Sequence, residues 1–157
     1  MFELTSPAFG ENQRIPDVYA AGKAGGENRS IPYTWSGAPS GTRSFVLAIV
    51  DHAPVASDWV HWVVLDIPKE TTSLPDGASR TSAMPAGSRE LDNTGGTHGY
   101  GGPAPPPGTG DHPYVATVYA LSVPSIDMPK KPTAADIGRA VSGKVIGKAT
   151  LTGVYSR

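Results

Sequence analysis

The sequence predicts a single all-β domain, and three observations support this class. Apolar runs of strand length are separated by turn formers, with 19 glycines and 16 prolines among the 157 residues. Only one segment has the periodicity of an amphipathic helix. The length lies within the range of about 100–200 residues that is typical of one domain, so we assign residues 1–157 to a single unit.

Five segments are predicted to be strands. The three in the middle are continuous apolar runs, which is typical of strands that are buried on both faces of a sheet. The last one alternates between apolar and polar residues. The predicted strands cover residues 31–35, 44–50, 59–67, 114–123 and 148–155.

The third predicted strand contains a histidine among apolar residues. Because successive side chains of a strand point to opposite faces, we expect His61 on one face with Trp59, Val63 and Leu65. Trp62 should then lie on the opposite face. An imidazole in such surroundings is either a hydrogen-bonded core residue or part of a pocket lining, and this pattern alone leaves both open.

The one predicted helix lies near the end of the chain. Thr133 is its N-cap, and Asp136 three residues later completes a capping-box pattern. Ile137, Val141 and Val145 follow at a spacing of four and form one apolar stripe. One late helix among many strands argues against alternating β-α-β units.

Residues 87–113 form a long segment with little regular pattern, and its second half is rich in glycine and proline. Long loops inside compact domains are uncommon and often functional. A flexible linker is the alternative. A strong strand follows directly and there is no second domain to connect, so we favour a functional loop.

The composition excludes several classes of function. With no cysteine, the chain has no disulfide, thiolate zinc site, iron–sulfur cluster or cysteine nucleophile. The net charge of −1 provides no broad basic surface for nucleic acid or anionic membranes. No apolar run of about 18 residues predicts stable membrane insertion, and no signal peptide is apparent. We therefore expect a cytoplasmic protein without a cofactor.

Polar side chains collect where predicted strands meet loops. Asp51 and His52 follow the strand at 44–50, and His112 and Tyr114 stand at the start of the strand at 114–123. Each cluster alone is also compatible with a simple turn. Imidazole and phenol groups are hydrogen-bond donors, and such donors with few cations suit a small anion. Asp51 could orient a histidine or bind the cationic end of a zwitterion.

Several motifs together resemble the phosphatidylethanolamine-binding protein family, in its short prokaryotic branch of Raf-kinase-inhibitor-like proteins. The resemblance covers nearly the whole chain, and the combination is specific although each piece is not. The matching residues are 4–9, 33–37, 51–54, 59–62, 67–68, 99–108, 112–114 and 151–156.

The resemblance implies a compact β fold with a large antiparallel sheet, a smaller sheet and a few short helices. It also implies an anion pocket at one end of the fold. In the family's pocket motifs, His61 matches the histidine of a strand, and His112 and Tyr114 match the outer members of a His-Arg-Tyr motif. The matching loop wall consists of Gly101, Gly102 and Pro103.

Two departures from the family pattern affect the expected pocket. The family's Asp-Pro-Asp-Ala-Pro motif is altered here, so that either Asp51 or His52 takes the acidic position, and we favour Asp51. Pro113 replaces the usual arginine, which removes a bidentate partner for phosphate or carboxylate. We therefore expect ligand preference to differ from that of better-known members.

We expect a protein that binds a small anion without turnover: a phosphate ester, a carboxylate or a phospholipid headgroup. Regulation of partner proteins and homodimer formation are expected from the resemblance. One alternative is a protein inhibitor of a kinase or protease that acts through a surface loop. Another is a hydrolase that uses its histidines and aspartate, either as an acid–base pair or as a zinc site of Asp51, His52, His61 and His112.

Overall fold

The computed structural model describes all residues from 1 to 157 and consists mainly of strands. The strands are β1 (Glu3–Thr5), β2 (Gln13–Arg14), β3 (Tyr33–Ser36), β4 (Ser44–Asp51), β5 (Trp59–Pro68), β6 (Ser73–Leu74), β7 (Arg89–Glu90), β8 (His112–Leu121) and β9 (Val145–Tyr155). The helix α1 covers Ala134–Val141, and short 3-10 helices cover Asp17–Tyr19, Gly22–Ala24 and Pro54–Ala56. None of these helices is long and apolar enough to cross a membrane.

The strands form two sheets. The larger one has six strands in the order β2-β9-β8-β4-β5-β7, and the smaller one has three in the order β1-β3-β6. All neighbouring strands are antiparallel except β2 and β9, which run parallel. This arrangement confirms the all-β fold class, with a large sheet, a smaller sheet and short helices.

Both faces of the larger sheet are buried, as the continuous apolar runs predicted. The inner face packs against the smaller sheet. Phe45 and Tyr114 of the larger sheet share one buried cluster with Trp35 of the smaller sheet. The outer face packs against α1 through Ile137 and Val141. The core therefore has two layers, and β4 contributes to both of them because its side chains alternate between the faces.

The predicted helix is confirmed, including both arms of its capping box. The Thr133 hydroxyl accepts from the Asp136 N–H at 3.1 Å, and the Asp136 carboxylate accepts from the Thr133 N–H at 2.9 Å. The prediction that Val145 is the third residue of the helix's apolar stripe is wrong. Gly143 adopts a left-handed φ of 78° after the helix has ended, and Val145 begins β9 in an exposed position.

The prediction that His61 and Trp62 lie on opposite faces is also wrong, because β5 contains a β-bulge. Val50 of β4 pairs with Val60, but the preceding residue Ile49 pairs with Trp62, so His61 is an extra residue in β5. Trp62 belongs to the inner core, and the His61 ring lies against the inner-core residue Tyr114. The predicted companions of His61, at positions 63 and 65, face the outer core instead.

Candidate functional site

A row of three side chains crosses one end of the larger sheet. Asp51, the last residue of β4, pairs with Trp59 at the start of β5 and with Tyr114 near the start of β8. Cross-strand partners project from the same face, so the three side chains are neighbours on the inner face. Alternation along β5 places His61 on this face with Trp59, as predicted, and alternation along β8 adds His112.

The centre of the site is a buried aspartate–histidine pair. His112 Nδ1 lies 2.7 Å from Asp51 Oδ2, and the two side chains are only 1% and 4% exposed. The second carboxylate oxygen accepts the N–H of Ala53 at 2.8 Å. Both oxygens of Asp51 are therefore engaged, which compensates the cost of burying its charge.

The second ring nitrogen of His112 binds the long loop. Nε2 lies 2.8 Å from Oγ1 of Thr109, whose hydroxyl also lies 2.7 Å from the carbonyl oxygen of Pro106 and donates its one hydrogen there. Nδ1 contacts the carboxylate of Asp51 on the other side of the ring. Both ring nitrogens are therefore engaged, and the position of His112 is fixed between β4 and the loop.

His61 is held by the loop through one ring nitrogen. Its Nδ1 donates to the carbonyl oxygen of Gly101 at 2.7 Å. Burial lowers the pKa of His61 below its ordinary value, against the opposing effects of this hydrogen bond and of the Asp51 charge. Near neutral pH the ring is therefore uncharged, and its Nε2 carries a lone pair.

Tyr114 lies between the two histidines. Its ring meets the His61 ring edge-on at a centroid distance of 5.0 Å and stacks near the His112 ring at 6.4 Å. Burial, followed by the charge of Asp51, raises the pKa of Tyr114 well above its ordinary value. Its hydroxyl therefore remains a donor at any physiological pH.

His61 Nε2 makes no hydrogen bond within the protein, and the acceptor near the Tyr114 hydroxyl is the Asp51 carboxylate, whose oxygens already contact His112 and Ala53. The buried side-chain polar atom that lacks a partner is Trp35 Nε1, in the small sheet. His61 Nε2 is therefore not a sealed-off polar atom, and the Tyr114 hydroxyl lies beside it in the cluster.

The glycines of the loop wall approach the cluster closely, but their N–H groups are already used. Gly101 donates to the backbone oxygen of His61 at 2.8 Å, and Gly102 donates to the side-chain oxygen of Asn28 at 2.7 Å. A Cβ at Gly102 would lie 2.3 Å from the backbone oxygen of Tyr19, so only glycine fits. The wall contributes shape and, at Gly101, an acceptor for His61.

Pro103 continues this wall toward the N-terminal part of the chain. It is buried, and its carbonyl oxygen accepts the N–H of Ala21 at 2.9 Å. Pro113, which stands where the family has arginine, lies between His112 and Tyr114 in β8. Position 113 projects from the sheet face opposite to His112 and Tyr114.

His52 is not part of the cluster. Its Nδ1 lies 2.7 Å from Asp58 Oδ1, and its side chain is 49% exposed. The structure thus places Asp51, rather than His52, beside the other predicted residues. The structure contains no group of three His, Asp or Glu side chains that could hold a metal ion, so the four-residue zinc set considered from the sequence is not assembled.

Two residues of the site were not predicted from the sequence: Trp59 as a possible ligand contact and Thr109 as a support for His112. Trp59 is 41% exposed, unusual for tryptophan, and lies beside Asp51. Its position two residues before His61 was the available signal. Thr109, which supports His112, lies in an irregular loop whose sequence gives no indication of where its hydroxyl points.

Comparison with known proteins gives consistent results. The phosphatidylethanolamine-binding protein family model matches residues 5–156. A UPF0098 protein of Methanothermobacter thermautotrophicus is 36% identical over 154 residues, with 98% of each chain covered. The crystal structure of Escherichia coli YbcL, described as a member of the mammalian PEBP family, superposes with a TM-score of 0.91 at 34% identity, covering 99% of this chain and 98% of YbcL.

A more distant structure has the same fold. It is a homologue from Chlamydia trachomatis, CT736, with a TM-score of 0.82 and 29% identity. The superposition covers 99% of this chain and 97% of the CT736 chain. The similarity therefore spans both sheets and the whole of the candidate site.

Proposed function

Because the chain belongs to the phosphatidylethanolamine-binding protein family, we propose that it binds a small anion without turnover. The ligand is a phosphate ester, a carboxylate or a phospholipid headgroup. The observation that carries this proposal is the unpartnered His61 Nε2, which lies with the Tyr114 hydroxyl beside the buried pair of Asp51 and His112.

The two groups act differently on an anion. The Tyr114 hydroxyl donates directly to a ligand oxygen. Nε2 of the uncharged His61 has no hydrogen to donate, so it first takes up a proton, and the anion stabilises the resulting imidazolium. Binding therefore raises the pKa of His61 and consumes a proton between the pKa values of the free and bound states.

The charge balance of the site favours ligands of low net charge. The carboxylate of Asp51 is held by His112, and no lysine or arginine forms a salt bridge in the cluster. A phosphate ester with a cationic end, such as O-phosphorylethanolamine, meets this balance. The exposed indole of Trp59 offers an aromatic face to its ammonium group.

The test is an imidazole NMR titration of metal-stripped protein with O-phosphorylethanolamine and with inorganic phosphate. We expect a saturable shift of the His61 resonances. Tyr114→Phe removes one hydrogen bond to a charged group and should weaken binding by about tenfold or more. His52→Gln, which alters an exposed histidine outside the cluster, is the matched control. The absence of a saturable shift in the native protein would refute anion binding here.

Hydrolysis is a second candidate, and the order of hydrogen bonds favours it. Three groups are hydrogen-bonded in the order that a hydrolase uses. Thr109 Oγ1 has the place of the nucleophile, the His112 ring that of the base, and Asp51 that of the acid that orients the base. Against it, the Thr109 hydroxyl donates to Pro106 rather than to His112. Turnover of p-nitrophenyl acetate that is lost in Thr109→Ala and retained in Thr109→Ser would establish hydrolysis, whereas a background rate in all three proteins supports binding alone.

The regulation of partner proteins, homodimer formation and a cytoplasmic location stay predictions. The alternative of a kinase or protease inhibitor is separable from anion binding. Inhibition through a surface loop would survive Tyr114→Phe, whereas regulation through the pocket would be lost with it. An inhibition assay on the native and variant proteins therefore distinguishes the two.

A further inference from the structure

The last strand of the larger sheet has an open edge. In β9, Thr152 directs its backbone groups away from β8, since its N–H donates to the Glu11 carboxylate at 2.9 Å and its oxygen accepts from Asn12 at 2.7 Å. Backbone groups of an antiparallel strand alternate in direction, so those of Lys148 and Thr150 also point away from β8. Because β2 pairs only with the end of β9, nothing in the chain bonds to these two residues.

A cleft of about 460 Å³ runs beside this open edge, between β9 and β1. Its apolar lining includes Phe2, Leu4 and Leu151. Its charged lining consists of Glu3 and Glu11, and no lysine or arginine is among the lining residues. The cleft is thus suited to apolar side chains that have basic groups beside them.

The beginning of the same strand exposes two apolar side chains. Val145 is 37% exposed and Ile146 is 41% exposed, and only three other large apolar residues of the chain are comparably exposed. β-branched residues beside unpaired backbone groups are a template for pairing with another strand. The edge therefore combines free hydrogen-bonding groups, apolar surface and negative charge.

We propose that the open edge of β9 at residues 148–150 binds an extended segment of another protein as an added β-strand. Alternate side chains of that segment enter the cleft, apolar ones beside Leu4 and Leu151 and basic ones beside Glu3 and Glu11. A second copy of this chain is a poorer occupant. It would bring a second Glu3 and Glu11 to a cleft whose charged lining is already two carboxylates. This docking site is separate from the anion site and does not depend on it.

The probe is the six-residue peptide Leu-Thr-Lys-Thr-Leu-Thr, whose leucine and lysine side chains share one face of a strand, titrated into labelled protein and followed by NMR. We expect the amides of Lys148 and Thr150 to exchange quickly with solvent in the free protein and to become protected by the peptide. Two N-methylated forms of the peptide give the sharpest control. Methylation of the amides that face β9 should weaken binding by about tenfold or more, and methylation of the alternate amides should not.

Variants test the charge of the cleft. Glu3→Gln with Glu11→Gln keeps the side-chain acceptor for Thr152 but removes both charges, and should weaken peptide binding several-fold and flatten its salt dependence. Tyr114→Phe should leave the affinity for the peptide unchanged. Equal binding of both N-methylated peptides would overturn the proposal. So would protection of the same two amides by self-association without peptide.

Discussion

At the scale of single residues, the buried pair of Asp51 and His112 has the largest energetic consequence. Asp51→Asn replaces the buried carboxylate that contacts His112 Nδ1 and the Ala53 N–H, and we expect the free energy of unfolding to fall by about 1.5–3 kcal/mol. Asp58→Asn is the control, because it breaks an exposed aspartate–histidine pair and should cost less than about 1 kcal/mol. Urea denaturation of both variants measures the difference, and equal losses would contradict the assigned buried pair.

His61 gives the protein a pH dependence of predictable sign. Its pKa in the folded state lies below the ordinary value of 6.5, so the unfolded chain binds more protons as the pH falls. The stability that comes from keeping the ring neutral is fully present above a pH of about 6.5, and it is lost as the pH falls toward the folded-state pKa of His61.

His61→Gln should therefore lose stability less steeply than the native protein as the pH is lowered from about 7 to about 5. Unfolding midpoints in urea at several pH values measure the two slopes. Parallel curves would show that His61 does not titrate differently in the folded and unfolded states.

Two buried tryptophans should respond differently to the same substitution. Trp35 Nε1 has no hydrogen-bond partner, whereas Trp62 Nε1 donates to Glu90 at 2.8 Å. Each change to phenylalanine removes similar volume, but only Trp62→Phe also removes a hydrogen bond to a charged group. We expect it to be more destabilising than Trp35→Phe by about 1–3 kcal/mol in urea denaturation. The reverse order would refute this assignment.

The residues of the site were partly predictable from the sequence. Polar side chains at the ends of apolar strands marked Asp51, His112 and Tyr114, because a strand end is where a buried sheet meets solvent. The choice between Asp51 and His52 depended on a register that the altered motif does not define. Alternation along β4 resolves it, since Asp51 continues the inner face and His52 turns toward Asp58.

At the scale of elements, local patterns predicted the long strands and the helix, but not their irregularities. The bulge at His61 arises from pairing with β4, and no local signal distinguishes it from a regular strand. It changes which face each following residue occupies, so the predicted opposition of His61 and Trp62 failed. The two-residue strands β2, β6 and β7 are similarly defined by their partners and not by their own sequences.

The helix cap is the element-level feature that the sequence predicted most completely, and it can be tested directly. Thr133→Ala removes the acceptor for the Asp136 N–H and should lower the free energy of unfolding by about 0.5–2 kcal/mol. Thr133→Ser retains the hydroxyl and is the matched control. The cap would be shown to contribute nothing if both variants unfolded at the same urea concentration as the native protein.

At the scale of the whole molecule, the candidate site forms where distant parts of the chain meet at one end of the two-sheet fold. The loop at Gly101 and Gly102 contacts both the bulged strand and the N-terminal segment around Asn28. Such contacts depend on the complete topology, so the sequence could indicate the participants but not their arrangement. The unpaired edge of β9 was hidden for the same reason, since an edge is defined by the absence of a neighbour.

The central claim is that an anion binds at His61 and Tyr114 and that His61 takes up a proton. Calorimetric titration with O-phosphorylethanolamine near neutral pH, in two buffers of different ionisation enthalpy, counts this proton directly. We predict net uptake of up to about one proton for each ligand bound. We also predict that His61→Gln abolishes the uptake. Binding without proton uptake, or uptake that persists in His61→Gln, would contradict the account.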